Sequence, residues 1–155
     1  MDKQNNKDFK GWINVKEKIH NAGRIRSINV GDIWWYAAGE NVKTEIDGKG
    51  RRFSRPVVIV KKFGKYSFWG VPLTSQPHEG SWYVQFEFQG KKENAAVHQL
   101  RNIDVARLYD KIGQVPNSDL DLIRFHIAEL LLENKKCAPT LRPGGWRVFP
   151  NILKL

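Results

Sequence analysis

Arg55-Pro56-Val57-Val58-Ile59-Val60 opens an apolar run with a permanent cation. A second strand-like segment, Trp69-Gly70-Val71-Pro72-Leu73-Thr74-Ser75-Gln76, closes on two hydroxyls and a carboxamide. If the two pair as a hairpin through Phe63-Gly64-Lys65, the start of the first meets the end of the second. Arg55 then lies beside Thr74, Ser75 and Gln76. A guanidinium presents a planar fork of donors that fits phosphate, and hydrogen bonds to a charged acceptor are the stronger kind. The chemistry is capture of an oxyanion such as a phosphodiester. An arginine ahead of a strand also serves as an ordinary surface residue, and a threonine at a strand end often completes a turn. Spacing alone therefore defines a pocket, not an activity.

Other side chains extend this pattern. Arg51, Arg52, Lys61 and Lys62 flank the Arg55 strand and are candidates for phosphate contacts. Trp34, Trp35, Phe53 and Trp82 are candidates for stacking on bases, as single-stranded nucleic acid requires. Adjacent Trp34 and Trp35 point to opposite faces of a strand, so at most one enters the core and the other is free for substrate or an interface. Across 155 residues the formal net charge is +10. Such a balance suits a polyanion (nucleic acid, an acidic protein segment or an anionic membrane), although a solvated basic surface has the same composition.

No cluster of Asp, Glu and His has metal-ligand spacing, and Cys137 is the single cysteine. A disulfide framework and a cysteine metal site are excluded, and no cofactor is expected. No apolar run approaches the roughly 20 residues of a membrane span. Met1 to Lys10 lacks the apolar centre of a signal peptide. The expectation is a soluble cytoplasmic protein.

The elements that must position these residues follow from periodicity. Residues 1–8 are polar. Phe9, Trp12, Ile13, Lys16 and Ile19 recur at helical spacing, and Gly23 marks the helix end. Strands are expected over Gly31 to Ala37, Arg55 to Lys62, Tyr66 to Leu73, Trp82 to Gln89 and Ala95 to Leu100. Between the first two lies a long glycine-punctuated connection, residues 38–54, which ends in Arg51-Arg52. A loop of that length is uncommon unless functional or mobile, so it reads as a substrate lid or as plain surface. A helix starts near Pro116-Asn117-Ser118, with Ser118 as N-cap and Asp121 at the capping-box position. Its expected buried stripe is Leu120, Ile123, Ile127, Leu130 and Leu131, with Arg124 facing out. Short antiparallel strands followed by a packing helix indicate a small barrel or sandwich of the α+β class. Residues 134–155, broken by Pro139, Pro143-Gly144-Gly145 and Pro150, form a tail of different character.

These segments resemble a known family. Gly31-Asp32-Ile33-Trp34-Trp35 is similar to the opening strand of the MazF/PemK (Kid-like) toxins of type II toxin–antitoxin systems. Arg55-Pro56 with its apolar strand, Val71-Pro72-Leu73-Thr74-Ser75-Gln76, and Gln99-Leu100-Arg101-Asn102-Ile103-Asp104 follow in the family's order. The match covers about residues 30–133, leaving residues 1–29 as an N-terminal extension and 134–155 as a C-terminal tail. The resemblance implies a mainly β, α+β fold, a small antiparallel SH3-like barrel of the MazF/Kid/CcdB kind with a C-terminal helix. It also implies a homodimer that cuts single-stranded RNA without a metal and is restrained by an antitoxin with an acidic disordered segment.

By the same resemblance Arg55 matches the family's catalytic arginine and Thr74 its catalytic threonine, with Ser75 and Gln76 lining the same groove. His98 stands where some members carry an aspartate used for acid–base work, and the arginine that accompanies it there is missing. A histidine titrates near neutrality and is suited to that role, though it equally fits a groove or strand position. Two rivals stay open: a toxin of the same fold acting on a protein such as DNA gyrase, and a nucleic-acid-binding barrel without activity.

Overall fold

A computed structural model describes residues 7–76, 78 and 80–132. The tail and Cys137 lie outside the described residues. The elements are α1 (Phe9–Ala22), β1 (Asp32–Ala37), β2 (Ser54–Phe63), β3 (Ser67–Thr74), β4 (Tyr83–Phe88), β5 (Lys91–Ala96), β6 (Arg101–Asp104), β7 (Leu108–Gln114) and α2 (Asn117–Leu132). Single 3-10 turns at Val97–Gln99 and Val105–Arg107 bracket β6.

The strands form one antiparallel sheet in the order β4-β5-β3-β2-β1-β7. β3 divides its partners: Leu73 and Thr74 face β5, whereas Ser67 to Gly70 face β6. The sheet therefore curls into an open barrel. Val57, Val58, Ile59 and Val60 are all buried because β2 is central and covered on both faces. Val57 and Ile59 join Trp34, Tyr36, Phe68, Ile103 and Leu108 inside the curl. Val58 and Val60 join Val71, Leu73, Val84 and Phe86 under α2, through Leu120 and Ile123. Gly70 permits this crowding, since a Cβ there would lie 2.6 Å from Val57 and 2.9 Å from Ile103.

Several expectations need correction. The strand read as Ala95 to Leu100 lies earlier, at Lys91–Ala96, because Gly90 (φ 73°) turns β4 directly into it and Val97 begins a 3-10 turn. In α1 the packed residues are Trp12, Val15 and Ile19, while Phe9 and Ile13 are exposed. α1 is capped by Asp8, whose carboxylate accepts from the Gly11 N–H at 2.8 Å. α2 starts at Asn117, one residue before the expected cap. Asp121 lies 3.7 Å from Arg124 instead of closing a capping box. Arg124 does not simply face out: its Nε and Nη2 donate to the Val60 carbonyl at 3.1 and 2.8 Å. Leu131 is 74 % exposed, so the buried stripe stops at Leu130.

Candidate active site

One polar row crosses the sheet at its open end. Tyr36 pairs with Arg55, Thr74 with Asn94, and Asn94 with Gln85. Continuing the β2–β3 register outward from Val57 and Pro72 sets Arg55 opposite Thr74. Directly opposed residues share a face, with Cβ atoms about 5 Å apart. Alternation confirms the face. Val57 and Tyr36 lie inside the curl, so Arg55 does too, while Leu73 and Ala95 point to the α2 side and leave Thr74 and Asn94 facing the other way.

Arg55 is held from two sides. Its Nε donates to the Asp47 carbonyl at 2.6 Å and its Nη1 to the Leu73 carbonyl at 3.2 Å. Carbonyls orient the guanidinium without neutralising it. Among the described residues no carboxylate lies within ion-pair distance of it. Burial lowers its pKa from the usual value, against smaller opposing effects of Tyr36 and Asp47. Thr74 is buried, and its Oγ1 accepts the Gln76 N–H at 3.2 Å. That bond completes a turn and leaves the hydroxyl hydrogen free to donate elsewhere. Asn94 is 2 % exposed and donates to the Gln76 carbonyl at 3.0 Å, fixing the loop after Thr74.

The 38–54 loop is tied down. Lys7 forms an ion pair with Asp47 at 2.8 Å and also donates to the Asn41 carbonyl. Gln99 donates to the Thr44 carbonyl at 3.2 Å and accepts from the Ile46 N–H at 3.3 Å. These contacts present the Asp47 carbonyl to Arg55.

On the other side of the strand ends a groove of about 440 Å³ reaches Arg55 and Thr74 and is lined by Trp35, Ser75, Lys49, Lys91 and Glu93. Trp35 is 40 % exposed there, whereas Trp34 is buried inside the curl. Burial raises the Glu93 pKa, opposed by Lys91.

The structure thus sets Arg55, Thr74, Ser75 and Trp35 along one groove, with Gln76 bonded to Thr74 but outside the lining. It does not bring in the remaining candidates. Lys61 and Lys62 lie six and seven positions along β2, about 20 Å away at the strand rise of roughly 3.3 Å per residue. Lys62 donates to the Ile28 carbonyl at 3.1 Å. Arg52 is paired with Asp110 at 3.3 Å and lies 4.0 Å over the Tyr109 ring. Arg51 is exposed in the adjacent turn. Phe53 is buried against Trp12 and unavailable for a base. His98 joins an aromatic cluster instead. Its ring is 5.1 Å from Tyr83 and 6.2 Å from the exposed Trp82, with Nδ1 3.3 Å from the Trp82 carbonyl. His78 stacks on Tyr83 at 4.4 Å.

Sequence reasoning missed Glu93 in the groove lining and Tyr36 and Asn94 in the polar row. A signal existed for two of them: Tyr36 alternates with Trp35, and Asn94 is a polar residue beside the apolar Ala95-Ala96.

The sequence model of one protein family, described as PemK-like, MazF-like toxin of type II toxin–antitoxin system, matches residues 29–131. No curated protein matches. Among solved structures, MazF from Deinococcus radiodurans superposes with a TM-score of 0.55 at 16 % identity, covering 68 % of this chain and 97 % of that one. The MazE–MazF structure from the same organism gives 0.50 at 15 % identity, covering 68 % and 96 %. At such identities the likeness shows the fold.

Proposed function

We propose, from the premise that this chain belongs to the PemK-like, MazF-like family of type II toxin–antitoxin toxins, that it is an endoribonuclease cutting single-stranded RNA without a metal. The observation that carries the reading is Arg55 opposite Thr74: an oriented, half-buried guanidinium with no carboxylate partner among the described residues, beside a hydroxyl whose hydrogen is free.

The 2′-hydroxyl oxygen attacks the adjacent phosphorus, and negative charge grows on the phosphorane oxygens. Preorganised donors aimed at developing charge are often the largest catalytic contribution. Arg55 is already held in place by two carbonyls, so little reorganisation accompanies the reaction. Thr74 donates to a phosphate oxygen. Trp35 offers a stacking surface in the groove, and Lys49 and Lys91 offer charge for flanking phosphates. Thr74 and Arg55 hold and stabilise phosphate; neither is a ready proton donor, since arginine stays protonated.

The chain acts in this reading as a cytoplasmic homodimer, inhibited by an acidic antitoxin segment that competes for the same cationic groove. The MazE–MazF complex among the similar structures supports such a partner.

The test is incubation of the purified protein with mixed-sequence RNA in EDTA, with the fragment ends mapped. Cuts at a short recurrent motif, ending in 2′,3′-cyclic phosphate and lost in Arg55→Ala, are the expected outcome. Folded, antitoxin-free protein that leaves the RNA intact sinks the reading and favours a protein target or plain binding.

A further inference from the structure

Cleavage must deliver a proton to the departing 5′-oxygen, and no residue assigned above supplies one. His98, the histidine suited to the task, is engaged with Trp82 and Tyr83. Tyr36 has an unexplained property. Its side chain is 1 % exposed, and its hydroxyl is buried without a hydrogen-bond partner of good geometry among the described residues. Native proteins contain few such groups, because a buried unpaired hydroxyl costs free energy, and those that persist often serve a function.

The surroundings of this hydroxyl are cationic. Tyr36 pairs directly with Arg55 on β2. Arg101 on β6 and Arg107 in the following 3-10 turn complete a set of three guanidiniums acting on it. Arg101 is close enough to act on the hydroxyl both as a charge and as a hydrogen-bond donor, although the contact falls short of good hydrogen-bond geometry. None of the three has a carboxylate within ion-pair distance among the described residues. Arg107 is anchored by its bond to the Ala37 carbonyl at 3.0 Å, whereas Arg101 is exposed. Arg101 is thus the exposed member of the set, and any reaction at the hydroxyl requires it to swing aside so that substrate reaches that group.

We propose that Tyr36 is the general acid of the reaction, donating its phenolic proton to the 5′-oxygen of the scissile phosphate. The inference rests on the endoribonuclease reading above. The bond from the 2′-oxygen to phosphorus forms as the bond to the 5′-oxygen breaks. The 2′-hydroxyl proton leaves to solvent, and the Tyr36 proton goes to the 5′-oxygen. The resulting phenolate is held by Arg55, Arg101 and Arg107 until water reprotonates it. The products are a 2′,3′-cyclic phosphate and a 5′-hydroxyl, with no co-reactant. Burial raises the pKa of the phenol, so it is protonated at neutral pH, and the three arginines favour the anion that forms. A phenol, with an ordinary pKa near 10, is still far more acidic than the alcohol it releases.

The experiment compares wild type with Tyr36→Phe on two RNAs containing the mapped cut site. One is ordinary; the other carries sulfur in place of the bridging 5′-oxygen, and its thiolate leaves without a proton. We expect Tyr36→Phe to cut the oxygen substrate about 100-fold or more slowly. The sulfur substrate should be cut by both proteins within a few-fold. The Tm should fall little, because the one nearby donor, Arg101, makes no hydrogen bond of good geometry with the hydroxyl. Unchanged cleavage of the oxygen substrate overturns the proposal. Equal slowing of both substrates, or a Tm lowered by many degrees, also overturns it by showing a positioning or structural hydroxyl. Wild type that cuts neither RNA refutes the nuclease reading itself, and this inference falls with it.

Discussion

The ring of Trp12 lies 5.7 Å from that of Phe53, two residues before Arg55. The same indole fills the space beside Gly39, where a Cβ would come within 2.5 Å of it. The N-terminal helix is therefore bolted under both ends of the loop that orients the site arginine. Trp12→Ala removes a buried aromatic and should lower stability by about 3 kcal/mol. Urea titration measures the loss, and hydrogen exchange in residues 38–54 should rise with it. Unchanged exchange there would mean that the helix does not support the loop.

Gly39 has φ +90°, a region that L side chains avoid. Gly39→Ala combines that strain with the collision against Trp12. A cost of about 2 kcal/mol is expected, reduced in a Trp12→Ala background because the collision disappears. A double-mutant cycle reads the coupling, and strict additivity would refute the contact.

Arg55→Lys keeps a charge but lacks the planar fork that reaches two carbonyls and a phosphate together. Cleavage should fall about 100-fold with the fold intact. Single-turnover rates at saturating RNA show whether the loss is in chemistry rather than binding. Activity near wild type would reduce the site to simple charge.

Asn94→Ala should destabilise by about 1 kcal/mol, since it removes a part-buried hydrogen bond from a buried amide to the carbonyl of exposed Gln76. The loop after Thr74 then loses its anchor. Cleavage should fall more than stability alone explains, as measured well below the melting range. Proportional loss of both would make Asn94 merely structural.

The Glu93 carboxyl has a folded-state pKa above its ordinary value, mainly through burial. Its contribution to stability is fully present below the unfolded carboxylate pKa and fades as pH rises through the raised folded value. Glu93→Gln should flatten that part of the pH–stability curve and leave the variant slightly more stable than wild type at pH 7. Thermal melts between pH 3 and 8 check it, and an identical curve for both proteins would sink the prediction.

Much of this molecule was legible in its sequence because the signals are local. The unbroken Val57–Val60 run declares a strand covered on both faces, and Arg55-Pro56 declares where it starts. Hairpin reasoning then puts Arg55 beside Thr74, as short-range pairing demands. Single-strand periodicity cannot say which rows align across non-neighbouring strands. Asn94 pairs with Thr74 only because β5 docks on one half of β3 and β6 on the other. The same division brings Arg101 and Arg107 around the Tyr36 hydroxyl. It leaves Lys61 and Lys62 at the far end of β2, although they are close to Arg55 in the chain. His98 fails to join the row because a 3-10 turn, rather than a strand, carries it toward Tyr83. Residue type and spacing determined which chemistry was possible; the curl of the sheet decided which side chains share it, since long-range pairing depends on packing that no local pattern records.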